Sequence, residues 1–167
     1  MTEKLLTMQK RTQSMSNSKP SAACDRSSKD VAFGAEQVLV DHFVRVLAKD
    51  RSPWGCVRLI REFDYSRGRT DIVAFGASDT LIAIEAKLKD WKRALHQAYR
   101  NTCFAHQSFV LLPKSIALTA FTFQAEFERR RVGLCYLDDG KVVVLQDSPH
   151  TAPLEPWLAS AAIARFC

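Results

Sequence analysis

Two acidic side chains and a lysine stand at the ends of two neighbouring apolar segments of the sequence. Asp71 opens the segment Asp-Ile-Val-Ala-Phe, and Glu85 closes the next one, Leu-Ile-Ala-Ile-Glu, two residues before Lys87. If these segments are strands of one hairpin, both carboxylates lie at the same end. Alternation along a strand then places Glu85 and Lys87 on one side and turns Ala86 away. Paired carboxylates bind hard cations such as Mg²⁺, so the pattern indicates metal-dependent phosphodiester chemistry.

A carboxylate followed two residues later by lysine is a common triplet, and this chain has two others. Asp139 and Lys141 flank a predicted hairpin turn, in which Asp-Gly is usual. Asp90 precedes a helical pattern and is suited to cap its N-terminus. Because Glu85 ends a strand with an acidic strand just upstream, its triplet is the candidate for chemistry. The alternative is an α/β protein in which the triplet is accidental.

Hydrophobic periodicity predicts the elements that position these residues. Helices are expected at 31–49, 91–104, 114–130 and 157–166, and strands at 56–63, 71–75, 80–87 and 108–112, with a hairpin at 132–146. Phe121, Phe123 and Phe127 recur at helical spacing, which is typical of core residues rather than of base-stacking platforms. The sequence therefore predicts an α/β protein.

The α-β-β-β-α-β order over residues 35–113, with an acid on the second strand and acid-x-Lys on the third, resembles the PD-(D/E)xK nuclease superfamily. It is similar to the small Holliday-junction-resolvase-like and RecB-like nuclease domains. Thr70 stands where the motif has its leading proline. The resemblance implies a restriction-endonuclease-like fold, with a mixed central β-sheet flanked by helices.

The resemblance also implies roles for the motif residues. Asp71 and Glu85, helped by the backbone carbonyl of Ala86, would bind Mg²⁺ or Mn²⁺ beside the scissile phosphate. Lys87 would position or activate the attacking water and offset charge on the phosphoryl oxygens.

Two further residues match positions that members of the superfamily use. Members often carry a glutamate on the first helix, and Glu36 is the candidate metal ligand. It falls on the apolar stripe of that helix, so it either faces the sheet or lies at the edge of the stripe and reaches solvent. Gln97 matches a glutamine of RecB-like members and is a candidate catalytic residue, while Asn101 stands where their tyrosine would be. The alternative for Gln97 is a solvent-facing side chain.

Composition limits the size of the protein and its class. A chain of 167 residues with 47% hydrophobic content suits one core. We expect a basic, disordered tail at 1–29 and a single domain at 30–167. No apolar run is long enough to span a bilayer, and Met1 is not followed by the hydrophobic segment of a secretory signal. Five scattered cysteines predict reduced thiols rather than a zinc site. These features predict a cytoplasmic protein without a membrane partner.

The net charge is +6, and basic residues cluster on both sides of the candidate site. The cluster that we expect to bind DNA consists of Arg67, Arg69, Lys89, Lys92 and Arg93. A basic rim around paired carboxylates suits a phosphodiester backbone. A solvated helix face explains the last three residues equally well.

These observations favour a metal-dependent deoxyribonuclease acting in DNA repair, recombination or defence. The alternative on the same fold is a catalytically inactive nucleic-acid-binding or assembly module. Because no separate DNA-reading domain is visible, specificity would come from DNA structure or ends, from homodimerisation, or from a protein partner.

Overall fold

The structure, a computed structural model, describes residues 34–49, 52–66 and 68–167. The predicted tail and Arg67 lie outside these ranges. The elements in chain order are α1 (Glu36–Leu47), β1 (Arg58–Tyr65), β2 (Gly68–Phe75), β3 (Leu81–Ala86), α2 (Trp91–Asn101), β4 (Gln107–Leu111), α3 (Lys114–Phe121), α4 (Gln124–Arg130), β5 (Gly133–Asp138), β6 (Lys141–Gln146) and α5 (Pro156–Ala164). The order of elements around the candidate site agrees with the sequence prediction.

The six strands form one mixed sheet in which the spatial order is the chain order. Strands β1, β2 and β3 are joined antiparallel, β3, β4 and β5 run parallel, and β6 returns antiparallel to β5. Parallel neighbours need a crossover connection, and α2 supplies it between β3 and β4. The prediction of an α/β fold with a mixed sheet flanked by helices is confirmed.

Helices cover both faces of the sheet around β3, whose residues are all buried. Helix α1 packs Leu39, Phe43 and Leu47 against one face. Helix α2 packs Ala94 and Ala98 on the other face, close to β4. A strand covered on both faces must be apolar throughout, which explains the continuous apolar run before Glu85.

The segment 114–130 departs from the prediction, because it forms two helices instead of one. Helix α3 ends at Phe121 and α4 begins at Gln124. The hydroxyl of Thr122 donates to the backbone carbonyl of Thr119, a side-chain bond that competes with continued helix. The break leaves Phe123 49% exposed, whereas Phe127 is fully buried. The prediction that Phe123 belongs to the core is therefore wrong.

Two further sequence predictions concern local features. Asp90 caps α2, because its carboxylate accepts a hydrogen bond from the backbone N–H of Arg93 at 3.0 Å. Asp139 and Gly140 have φ angles of 47° and 67°, as the tight turn of a hairpin requires. Both predictions are confirmed. In the described part of the chain, every helix is too short or too polar to cross a membrane.

Candidate active site

The hairpin of β2 and β3 brings the two predicted carboxylates together. Its register pairs Ile72 with Ile84, and its continuation sets Asp71 beside Glu85. The Oδ2 atom of Asp71 accepts a hydrogen bond of 2.8 Å from the backbone N–H of Ala86. This bond fixes the Asp71 carboxylate next to the end of β3.

Both carboxylates line a polar cavity of about 340 Å³ between α1, α2 and the ends of the first three strands. Its acidic residues are Glu36, Asp71 and Glu85, its basic residues are Arg69, Lys87, Arg93 and Arg100, and its other polar residues are Tyr65, Gln97 and Asn101. The cavity therefore combines acidic groups with cationic groups from β2, from α2 and from the residue that follows β3.

Glu85 is the most deeply buried acidic group of this cavity. It is 1% exposed, and burial together with the nearby negative charge of Asp71 raises its pKa to about 8. One carboxylate oxygen, Oε1, accepts a hydrogen bond of 2.7 Å from the Asn101 amide. The other, Oε2, is buried and meets no hydrogen-bond donor among the described residues. In the metal-free protein a proton shared with the Asp71 carboxylate can satisfy this oxygen, in line with the raised pKa of Glu85, and a bound cation would replace that proton.

Asn101 anchors a buried network that sequence reasoning missed. Its Oδ1 accepts hydrogen bonds from the hydroxyls of Tyr65 at 2.6 Å and of Thr70 at 2.9 Å. These two donors fix the orientation of the amide, so that its NH₂ group faces Glu85. A sequence signal existed, because Asn101 continues the buried stripe of Ala94 and Ala98 at helical spacing.

Lys87 lies one residue beyond β3 and bridges the strand end to α1. Its Nζ donates to Glu36 Oε2 at 2.8 Å and to the carbonyl of Ala86 at 3.1 Å. Ala86 itself packs into the core under α1, as the predicted alternation requires. The ammonium group is thereby held at the cavity on the side facing α1.

Glu36 is the first residue of α1, and its side chain is 49% exposed. The interpretation that places it on the buried stripe is wrong, and the edge interpretation holds. The stripe is buried where it covers the sheet, from Leu39 to Leu47, and the first turn extends past the sheet. In the described part of the chain no three His, Cys, Asp or Glu side chains group closely enough to hold a metal. The contact that Glu36 makes is with Lys87.

Gln97 lines the same cavity from α2. Its Oε1 atom is buried and accepts no hydrogen bond from any described residue. The solvent-facing interpretation of Gln97 is therefore wrong. Gln97 lies one helical turn before Asn101, on the side of α2 that faces the carboxylates.

The predicted basic cluster divides into two groups. Arg69 and Arg93 line the cavity, whereas Lys89 and Lys92 lie outside it. Both lysines are exposed, as a solvated face predicts. Arg100, a further basic residue downstream of Lys87, also lines the cavity.

Arg100 is accommodated by a glycine on the neighbouring strand. A Cβ at Gly68 would lie 2.3 Å from the guanidinium of Arg100, and Gly68 has a φ of 153°. Both the close approach and the backbone angle favour glycine. The absence of a side chain at Gly68 thus leaves room for the Arg100 guanidinium at the wall of the cavity.

The residues at the cavity floor fit a hard divalent cation. Asp71 and Glu85 line the cavity, and the carbonyl of Ala86, which accepts from Lys87 Nζ, lies at the same strand end. All three supply oxygen donors, which Mg²⁺ and Mn²⁺ prefer. A cation there would also offset the repulsion between the two carboxylates, which contributes to the raised pKa of Glu85.

Comparisons with known proteins identify the fold alone. No protein-family profile matches the chain, and no curated protein matches it either. A solved structure of a protein of unknown function from Silicibacter pomeroyi is similar, with a TM-score of 0.57, 16% identity, and coverage of 79% of this chain and 84% of that one. The structure of Pyrococcus furiosus SfsA in complex with Ca²⁺ gives a TM-score of 0.34 at 9% identity, over 69% of this chain and 62% of that one. The chain is thus similar in fold to a protein whose function is itself unknown.

Proposed function

We propose that this chain is a metal-dependent deoxyribonuclease of the PD-(D/E)xK type, with a restriction-endonuclease-like core. The observation that carries the proposal is the meeting of Asp71, Glu85 and Lys87 in one cavity, with a buried oxygen of Glu85 left free. The motif requires all three groups: Asp71 comes from β2, Glu85 from β3, and Lys87 directly follows β3.

Each group has a role that follows from its position. Asp71, Glu85 and the Ala86 carbonyl would hold Mg²⁺ or Mn²⁺, which when bound polarises a phosphodiester and lowers the pKa of water. Lys87, held between Glu36 and the Ala86 carbonyl, can donate to a phosphoryl oxygen or orient the attacking water. A fixed donor of this kind contributes about 3 kcal/mol to catalysis.

The cationic wall of the cavity supports a phosphodiester substrate. Arg69, Arg93 and Arg100 line it together with the acidic floor. Acidic residues alone would repel a phosphate, whereas guanidinium groups bind phosphate oxygens strongly. The arrangement suits a polyanion whose backbone crosses the cavity.

The test is incubation of the purified chain with linear, circular, nicked and branched DNA in the presence of Mg²⁺, Mn²⁺ or EDTA. We expect cleavage with either cation and none with EDTA. Asp71→Asn and Glu85→Gln should each abolish cleavage while leaving a cooperative unfolding transition. Both replacements keep side-chain volume and remove an anionic oxygen ligand.

The same assay distinguishes a nuclease from the alternative, a catalytically inactive nucleic-acid-binding module. Cleavage that persists in EDTA, or in both variants, would contradict the proposal. DNA binding without cleavage under every cation tested would indicate a binding module instead.

A further inference from the structure

A second cavity, of about 350 Å³, lies on α2 beside the candidate active site. We call it the aromatic groove; Trp91, Phe123, Lys92, His96, Glu126 and Arg130 line it. The rings of Trp91 and Phe123 stack with centroids 5.1 Å apart and an interplanar angle of 28°. Because Phe123 is 49% exposed, an aromatic surface remains open at this groove.

The aromatic surface rests on a rigid support. Trp91 also stacks on the buried Phe127, with ring centroids 5.9 Å apart. Phe123 stands at the break between α3 and α4, where the chain turns it away from the core. An exposed ring held by stacked neighbours loses little conformational freedom when a flat ligand binds.

The outer side of α2 connects this groove to the candidate active site. Lys92 and His96 line the groove, and the next residues in the chain, Arg93 and Gln97, line the site cavity. Consecutive helical positions are about 100° apart, so the two cavities occupy adjacent sides of one helix. A strand that crosses the outer surface of α2 can therefore contact both cavities.

The charge of α2 defines what this surface would bind. The helix contains Lys92, Arg93 and Arg100 and no acidic residue. Among the described residues, none of these three cations forms an ion pair. Arg130, in contrast, is paired with Glu126 inside the groove. The surface is therefore cationic along the helix and aromatic at its end, a combination that suits single-stranded nucleic acid.

We infer that the aromatic groove binds an unpaired base of the DNA strand whose phosphate enters the site cavity. The inference rests on the proposed function, and it names the substrate class as DNA with unpaired bases. A duplex keeps its bases stacked inside, where the exposed ring of Phe123 cannot reach their faces. A flap, an overhang or a single strand presents the face that the groove needs.

Fluorescence anisotropy with a labelled oligothymidylate, in EDTA and at low salt, tests the inference in the full-length chain. Phe123→Ala should weaken binding about tenfold, in line with the loss of one base–aromatic stack. Phe123→Trp should bind like wild type, because it keeps a ring. Phe123→Leu should bind like the alanine variant, because it keeps apolar bulk without a π face. Thermal unfolding of each variant shows whether the fold is intact.

Two matched controls separate stacking from general surface effects. Trp157→Ala removes an aromatic side chain that is 61% exposed on α5, outside the groove, and should leave binding unchanged. An abasic oligonucleotide of the same length should bind wild type and Phe123→Ala equally, because it has no base to stack. Equal binding of oligothymidylate by wild type and Phe123→Ala, or the same tenfold loss on the abasic strand, would overturn the inference.

A failure of this inference can be distinguished from a failure of the proposed function. It measures binding without a metal, so a wrong base subsite leaves metal-dependent cleavage intact. Loss of the proposed function would appear as absence of cleavage by wild type, whatever the anisotropy shows.

Discussion

The amide of Asn101 and the carboxylate of Glu85 form a buried hydrogen bond of 2.7 Å that connects α2 to β3. The bond occupies one carboxylate oxygen and leaves the other directed at no donor among the described residues. Tyr65 and Thr70 hold the amide from its other side. Asn101 is thus a positioning residue, which acts on the candidate site through Glu85.

Replacing Asn101 with alanine should destabilise the fold by about 2–3 kcal/mol, because the buried Glu85 oxygen loses its donor and the Tyr65 and Thr70 hydroxyls lose their common acceptor. Urea unfolding of the metal-free protein measures the change. Thr102→Ala is the matched control, since it removes an exposed side-chain bond to the Tyr99 carbonyl near the end of the same helix. The Thr102→Ala substitution should lower the free energy of unfolding by no more than about 0.5 kcal/mol. Equal losses for the two variants would argue against a special role for Asn101.

The stability of the metal-free protein should fall as pH rises from about 4.5 to about 8. Burial and the charge of Asp71 raise the pKa of Glu85 from 4.5 to about 8 in the folded state. Over this range the unfolded chain has released a proton that the folded protein retains, so rising pH favours unfolding. The stabilisation that comes from the proton on Glu85 is complete below pH 4.5 and lost above pH 8.

Glu85→Gln isolates this contribution from other titrating groups. We expect the difference in urea midpoint between pH 5 and pH 8, measured in EDTA, to be smaller in the variant than in wild type. Identical pH dependence in the two proteins would show that Glu85 does not titrate within this range.

Lys87→Met should reduce the cleavage rate by roughly 100-fold or more, because it removes a donor fixed at the site. Lys141→Met is the matched control, since Lys141 is the exposed lysine of another acid-x-Lys triplet and does not line the cavity. Single-turnover cleavage of one DNA substrate compares the two variants. A similar rate for Lys87→Met and Lys141→Met would remove Lys87 from the proposed mechanism.

Glu36→Gln should lower the cleavage rate without shifting the Mg²⁺ concentration at half-maximal rate. Its carboxylate contacts Lys87 at 2.8 Å, so the substitution acts on the lysine. Stability should change by less than about 1 kcal/mol, since the pair is half exposed on the Glu36 side. Titration of Mg²⁺ against rate provides the measurement. A large shift of the half-maximal concentration would instead make Glu36 a metal ligand.

Much of the fold is readable from local patterns in the chain. Alternation and apolar runs predicted the strands that carry Asp71 and Glu85, and a short connection made them neighbours. The single helix predicted at 114–130 is wrong, since the chain breaks at Thr122 and Phe123, where the periodicity shows no interruption. Phe123 was misplaced for the same reason.

The sequence by itself determined the order of elements and the approach of the two carboxylates, because neighbouring strands of a hairpin pair through local chain geometry. Only the tertiary structure decided which residues surround them. Asn101 contacts Glu85, and Glu36 contacts Lys87, only because α2 and α1 pack against particular positions of the sheet. Such contacts join residues that are far apart in the chain. Hydrophobic periodicity predicts whether a side chain is buried, but it does not predict which residue that side chain contacts.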